Sequence, residues 1–113
     1  MLKQVWCPPG TFTMGTPGAT GNEAPVQVTL TKGFWLGQTE VTQAQWTAVM
    51  GADSKPWSGL QFAKEGPNFP ASHISHGMNA DGTIEADSAT AYCEKLTQIE
   101  RQAGRLPTGW KYA

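Results

Sequence analysis

The sequence predicts a loop-rich α+β domain: a small antiparallel sheet followed by two helices. Three observations predict it. Only 15% of the 113 residues are charged, against 13 Gly, 8 Pro and 5 Trp, which suits many turns around large rings better than a helical bundle. Apolar residues alternate with period two near the start of the chain. They recur with a three-four rhythm after residue 40 and again after residue 86. The length is that of one domain, 1–113, with a single core.

Gln4-Val-Trp-Cys7 is a short apolar run that Pro8, Pro9 and Gly10 end in a turn. Thr11–Gly15 alternates, putting Phe12 and Met14 on one face of a strand, and residues 16–25 form a loop rich in Gly and Pro without a phosphate-loop ending. Val26, Val28 and Leu30 share a face of the next strand; after the Lys32-Gly33 turn, Phe34–Leu36 reads as a strand buried on both faces. Thr39 or Thr42 can cap the first helix, and Thr42 with Gln45 three residues on satisfies the capping-box pattern. Val41, Ala44 or Gln45, Trp46, Val49 and Met50 then follow helical spacing until Gly51. Residues 52–86 carry turn chemistry with little periodicity, and a connection this long is usually functional or mobile. Asp87 or Ser88 caps the second helix, whose buried stripe is Ala89, Tyr92, Cys93, Leu96, Ile99 and Ala103.

Eight basic and nine acidic residues, with no basic stripe, exclude the electrostatic footprint of a nucleic-acid binder. No apolar run approaches the roughly 20 residues a membrane helix needs. The start lacks a signal-peptide pattern, so a cytoplasmic location is expected. Two cysteines, Cys7 and Cys93, neither make a disulfide scaffold nor have metal-ligand spacing; both read as small buried hydrophobes.

His73 and His76 would meet at one metal if helical, but Pro70 and Gly77 oppose a helix, which favours ordinary loop or core histidines. The Asn79–Gly82 stretch lacks the terminal carboxylates of a calcium loop. Cys93 on a buried face should be inert, and Cys7 has no neighbouring base. Trp57, Phe62 and Phe69 either plug the core or, if exposed, make a stacking platform for a sugar or peptide. Trp57, His73 and His76 are the candidate ligand-binding residues; no catalytic, cofactor or metal residue is assigned.

Five blocks occur in order: Trp6-Cys-Pro-Pro-Gly-Thr-Phe-Thr-Met-Gly15, Glu23-Ala-Pro-Val-Gln-Val-Thr-Leu30, Gly33-Phe-Trp-Leu-Gly37, Glu40-Val-Thr-Gln-Ala-Gln-Trp46 and Ala91-Tyr-Cys-Glu-Lys-Leu96. Together they resemble the formylglycine-generating enzyme (sulfatase-modifying factor) family. The resemblance implies that family's irregular variant of the C-type lectin fold. Family domains are typically much longer, so the chain is expected to be a truncated half domain. Arg105-Leu-Pro-Thr108 aligns either with the linker before the family's Leu-Pro-Thr-Glu-Ala motif or with the motif itself. Either alignment leaves out the half carrying the copper-binding cysteines, the calcium ligands and most of the substrate groove. Neither Cys7 nor Cys93 matches those cysteines. A half domain would expose faces that the remainder covers, and a symmetric homodimer is the simplest remedy. The functional expectation is a non-catalytic, self-associating domain; the alternatives are a C-type-lectin-like binding module using residues 52–86, or an oxidase component completed by a partner chain.

Overall fold

The computed structural model describes residues 2–113. Within the stretch read as one domain, the chain packs as two compact units, Leu2–Thr39 and Glu40–Ala113.

The first unit holds all the strands: β1 (Gln4–Cys7), β2 (Gly10–Met14), β3 (Val26–Leu30) and β4 (Phe34–Gly37), with a single 3-10 turn at Gly21–Glu23. The expected small antiparallel β-structure is present, as two ribbons, β1 with β4 and β2 with β3, the second nested in sequence inside the first. The reason lies at Pro8 and Pro9: neither has an N–H, so the ladder cannot run on from β1 into β2. The β2–β3 register pairs Phe12 with Val28 and Met14 with Val26 on one face, and Thr11 with Thr29 and Thr13 with Gln27 on the other. The Thr11 and Thr29 hydroxyls bond across the ribbon at 2.9 Å. The predicted alternation is thus realised.

Expected burial of Phe34–Leu36 on both faces is not found. The β1–β4 register puts Val5 beside Leu36 and Cys7 beside Phe34 on one face, and Trp6 beside Trp35 on the other. Phe34, Trp35 and Leu36 remain 38–53% exposed, because a two-stranded ribbon carries no layer of its own over either face. Trp6 and Trp35 compensate in part by packing ring to ring, with centroids 5.4 Å apart. Trp6 also lies over Gly33: a Cβ there would overlap its ring, so only glycine admits the contact.

The second unit holds α1 (Gln43–Met50) and α2 (Ala89–Gln102). Thr42 caps α1 with the reciprocal bonds the sequence predicts: the Gln45 N–H donates to Thr42 Oγ1 at 3.2 Å, and the Thr42 N–H to Gln45 Oε1 at 2.9 Å. Ser88, one of the two predicted candidates, caps α2: its Oγ accepts from the Ala91 N–H and donates to the Glu85 carbonyl. At the other end, Gly104 is left-handed, and the N–H groups of Gly104 and Arg105 return to the carbonyls of Arg101 and Glu100, a Schellman closure. The following tail runs back along α2. Tyr112 N–H donates to the buried Thr97 hydroxyl, Arg101 donates to the Trp110 carbonyl, and Arg105 grips Glu100 through two bonds of 2.7 and 2.8 Å.

The core of this unit is aromatic. Trp46 of α1 stacks on Tyr92 of α2, centroids 5.2 Å apart and nearly parallel, and meets the edge of Trp57 at 6.5 Å. Leu96 completes it. Of the predicted α2 stripe, Tyr92 and Leu96 are buried and Cys93 half-buried; Ile99 and Ala103, near the helix end, are exposed.

Residues 52–86 are as irregular as predicted, yet firmly attached. The carbonyls of Phe69 and Pro67 accept from the N–H groups of Gln43 and Ala44, the donors that α1 cannot satisfy within its own first turn. The carbonyls of Ser75 and His76 do the same for Ala89 and Thr90 at the start of α2. The buried Gln43 side chain donates to the Lys64 and Pro70 carbonyls and accepts from the Gly66 N–H. Replacing Gln43 by Ala strands three backbone groups, and the expected loss is about 2–4 kcal/mol. Glu at this position should cost a similar amount, since it cannot donate to the two carbonyls. Urea unfolding of the two variants checks this; a loss under about 0.5 kcal/mol would mean the loop is not held by this side chain.

Candidate functional site

The sequence-predicted site residues do not converge. Trp57 is 2% exposed and belongs to the core, so it offers no face to a stacking ligand. The apparent conflict with its place among turn residues resolves at Pro56 and Gly59, which fold the chain back so that the ring points inward against Trp46. His73 is exposed with a left-handed backbone, φ 58°, and its Nδ1 lies 3.2 Å from the Ser72 hydroxyl. His76 is also exposed, and its contribution to the fold is its carbonyl, which accepts from Thr90. Neither histidine lies on a helix, as Pro70 and Gly77 foretell. Phe69 is partly exposed under the Lys64 ammonium, 5.9 Å from its ring centre, and Phe62 is 92% exposed.

The Asn79–Thr83 stretch is a closed turn. Asp81 accepts from both the N–H and the hydroxyl of Thr83, which holds its carboxyl below the usual range. Asn79 donates to the same hydroxyl. These partners are all local, and among the described residues no three His, Cys, Asp or Glu side chains gather as a metal site would require.

Cys93 lies on α2, half-buried, and burial pushes its thiol pKa up, so the thiol stays protonated and weakly nucleophilic. Cys7 lies on β1 in the other unit, its Sγ 4.0 Å from the Val5 carbonyl. Burial and the neighbouring Cys93 and Tyr112 raise the Tyr92 hydroxyl pKa to about 12, so it is neutral at any physiological pH. A cysteine that holds copper does so as a thiolate, and the half-buried Cys93 thiol, its pKa raised, does not fit that role.

A shallow concavity lies in the second unit. About 280 Å³ in volume, it is lined by Gln43, Ala44, Thr47, Lys55, Trp57, Glu65, Gly66 and Pro67. That is just below the range of roughly 300–1,000 Å³ typical of small-molecule sites. Both N–H groups of the Gln43 amide are spent on backbone carbonyls, so it has no donor left to aim at a ligand. The exposed Lys55 and Glu65 supply opposite charges at the rim. Gln43 and this concavity were not foreseen from sequence; a glutamine in an amphipathic helix carries no mark of burial.

A small α+β domain with two capped helices and irregular connections is the class that the fold defines. The family model described as sulfatase-modifying factor enzyme 1-like domain matches residues 1–113, and the chain belongs to that family. No curated protein and no solved structure matches it.

Proposed function

We propose that this chain acts as a non-catalytic, self-associating member of the sulfatase-modifying factor family, a binding domain whose partner is a second copy of itself. The observation that carries the reading is its exposed apolar surface. Val5, Trp6, Phe12, Met14, Val26, Phe34, Trp35 and Leu36, eight large side chains on the strands, are each 38–55% exposed. At on the order of 100 Å² apiece they amount to roughly 800 Å² per copy, spread over the faces of the two ribbons. Large apolar side chains left open in contiguous patches are a mark of interaction surfaces. The Cys93 thiol, pushed up by burial, supports the non-catalytic part.

Sedimentation velocity across about 1–100 μM should show a monomer–dimer equilibrium lying mostly toward dimer at the upper end. A single monomeric species at roughly 100 μM would defeat the reading. Cysteine-peptide oxidation upon adding copper would defeat its non-catalytic part.

A further inference from the structure

Every strand of the Leu2–Thr39 unit is an edge strand. The unit holds two two-stranded ribbons and, beyond the 3-10 turn at Gly21–Glu23, no helix of its own. A two-stranded ribbon is marginal in water; stability normally takes a third strand on an apolar face, or a helix. Along each outer edge, alternate N–H and C=O groups point away from the ribbon, a template for one more strand. Folded proteins usually blunt such an edge with a charge, a proline or a bulge. The β3 edge has none of these. Val26-Gln-Val-Thr-Leu30 contains no charged residue and no proline, is β-branched at Val26, Val28 and Thr29, and pairs one to one with β2. Among the described residues, no main-chain hydrogen bond reaches Val26–Leu30 from outside the ribbon. The other edges are blunted or unpatterned. β1 lies between Lys3 and Pro8, and β2 lies between Pro9 and Gly15 with Gly10 at its start. β4 is apolar on both faces, so neither face fixes a register.

We infer that β3 is the edge of self-association: it pairs antiparallel with β3 of a second copy about a two-fold axis at Val28, joining two β2–β3 ribbons into one four-stranded sheet. This rests on the self-associating reading above. An open ladder selects an extended strand as its occupant, and the pattern of β3 selects β3 itself. About that axis Val26 lies opposite Leu30 of the second copy, Gln27 opposite Thr29, and Val28 opposite its own equivalent. Opposed residues share a face, so apolar meets apolar and uncharged polar meets uncharged polar at every position. The face of Phe12, Met14, Val26 and Val28 continues across the axis, and so does the face of Thr11, Thr13, Gln27 and Thr29. A slip of one residue would set Val28 against a polar residue and break both faces. Access agrees with this. Phe12, Met14 and Val26 are 48–55% exposed on one face, and Gln27 and Thr29 are exposed on the other.

The test measures the dimer dissociation constant by sedimentation equilibrium for wild type, Gln27→Lys/Thr29→Lys and Gln27→Lys/Thr29→Glu, with thermal melting as the folding control. In the first variant lysine opposes lysine on both sides of the axis, and the constant should rise about tenfold or more. The second variant keeps the wild-type net charge and opposes each lysine to a glutamate. Its constant should stay within about threefold of wild type or fall below it. A parallel pairing would set like residues against each other and weaken both. Without any substitution, hydrogen exchange at the β3 amides should slow between about 1 and 100 μM as the dimer forms. Three results would each overturn this inference and leave self-association standing: a folded Gln27→Lys/Thr29→Lys variant that dimerises like wild type, equal weakening of both variants, or β3 amides that exchange equally fast in monomer and dimer. A wild type monomeric at roughly 100 μM overturns both.

Discussion

Trp57→Ala is expected to cost about 3–5 kcal/mol, the range for deleting a fully buried large aromatic. The ring is 2% exposed and packs edge-on against Trp46, which in turn lies flat on Tyr92. Removing it opens a void beneath the loop and leaves one side of Trp46 without partner atoms. The loss does not stop there, because Trp46 is also tied by its indole N–H to the Ser54 hydroxyl, which donates onward to Asp87 at 2.6 Å. That relay joins α1, the loop and the residue before the α2 cap. A shift of Trp46 into the void would pull on all three. A domain this size has about 5–15 kcal/mol in total, so the variant should be near the limit of folding. Guanidinium unfolding followed by near-UV circular dichroism measures the loss, with Trp35→Ala as the comparison. Trp35 is half exposed on the β1–β4 ribbon, and its removal should cost clearly less. Equal losses would mean that Trp57 is not the keystone of this core.

Trp57 also marks where the fold was legible in the sequence. Strand faces, the Thr42–Gln45 box and the Tyr92–Leu96 stripe are visible because each depends on spacing within a few residues, and spacing is local. Trp57 lies among Pro, Ser and Gly, where no period applies, and its inward turn is set by partners far along the chain. Gln43 is unreadable for the same reason: its three bonds reach residues 64, 66 and 70. The separation of the strands into two ribbons does have a sequence signal, the two missing N–H groups of Pro8-Pro9, but that signal is shared with an ordinary turn. Phe62 illustrates a different limit. Nothing in Gly59-Leu-Gln-Phe-Ala63 announces a left-handed backbone at the phenylalanine, where a sequence reader would expect it at a glycine. The candidate site was the least legible part, because the concavity is assembled from α1 and two loop stretches that only tertiary packing brings together.

Gly77→Ala should have the second large effect, about 2–5 kcal/mol, from two independent penalties. The backbone there is left-handed, φ 94°, which disfavours any side chain by roughly 1–2 kcal/mol. A Cβ would also overlap both Cβ and Oγ of Ser88, an overpacking term of typically 1–3 kcal/mol. Ser88 cannot yield cheaply. It is fully buried and caps α2, and the strand-like bridge from Ser75 to Ser88 fixes its backbone from the other side. The Gly77 carbonyl, accepting from the Glu85 N–H at 2.9 Å, resists a shift of its own segment. The two penalties separate in a double-mutant cycle. Ser88→Gly removes both atoms that the methyl group introduced by Gly77→Ala would strike, and glycine is a tolerable cap. The double variant should therefore be more stable than the sum of the single losses predicts, by about 1–3 kcal/mol, with only the backbone term of Gly77→Ala remaining. Urea unfolding of all four proteins gives the coupling. Strict additivity would show that the segment before α2 moves freely enough to absorb a methyl group, and that the start of α2 is not pinned in the way its hydrogen bonds imply.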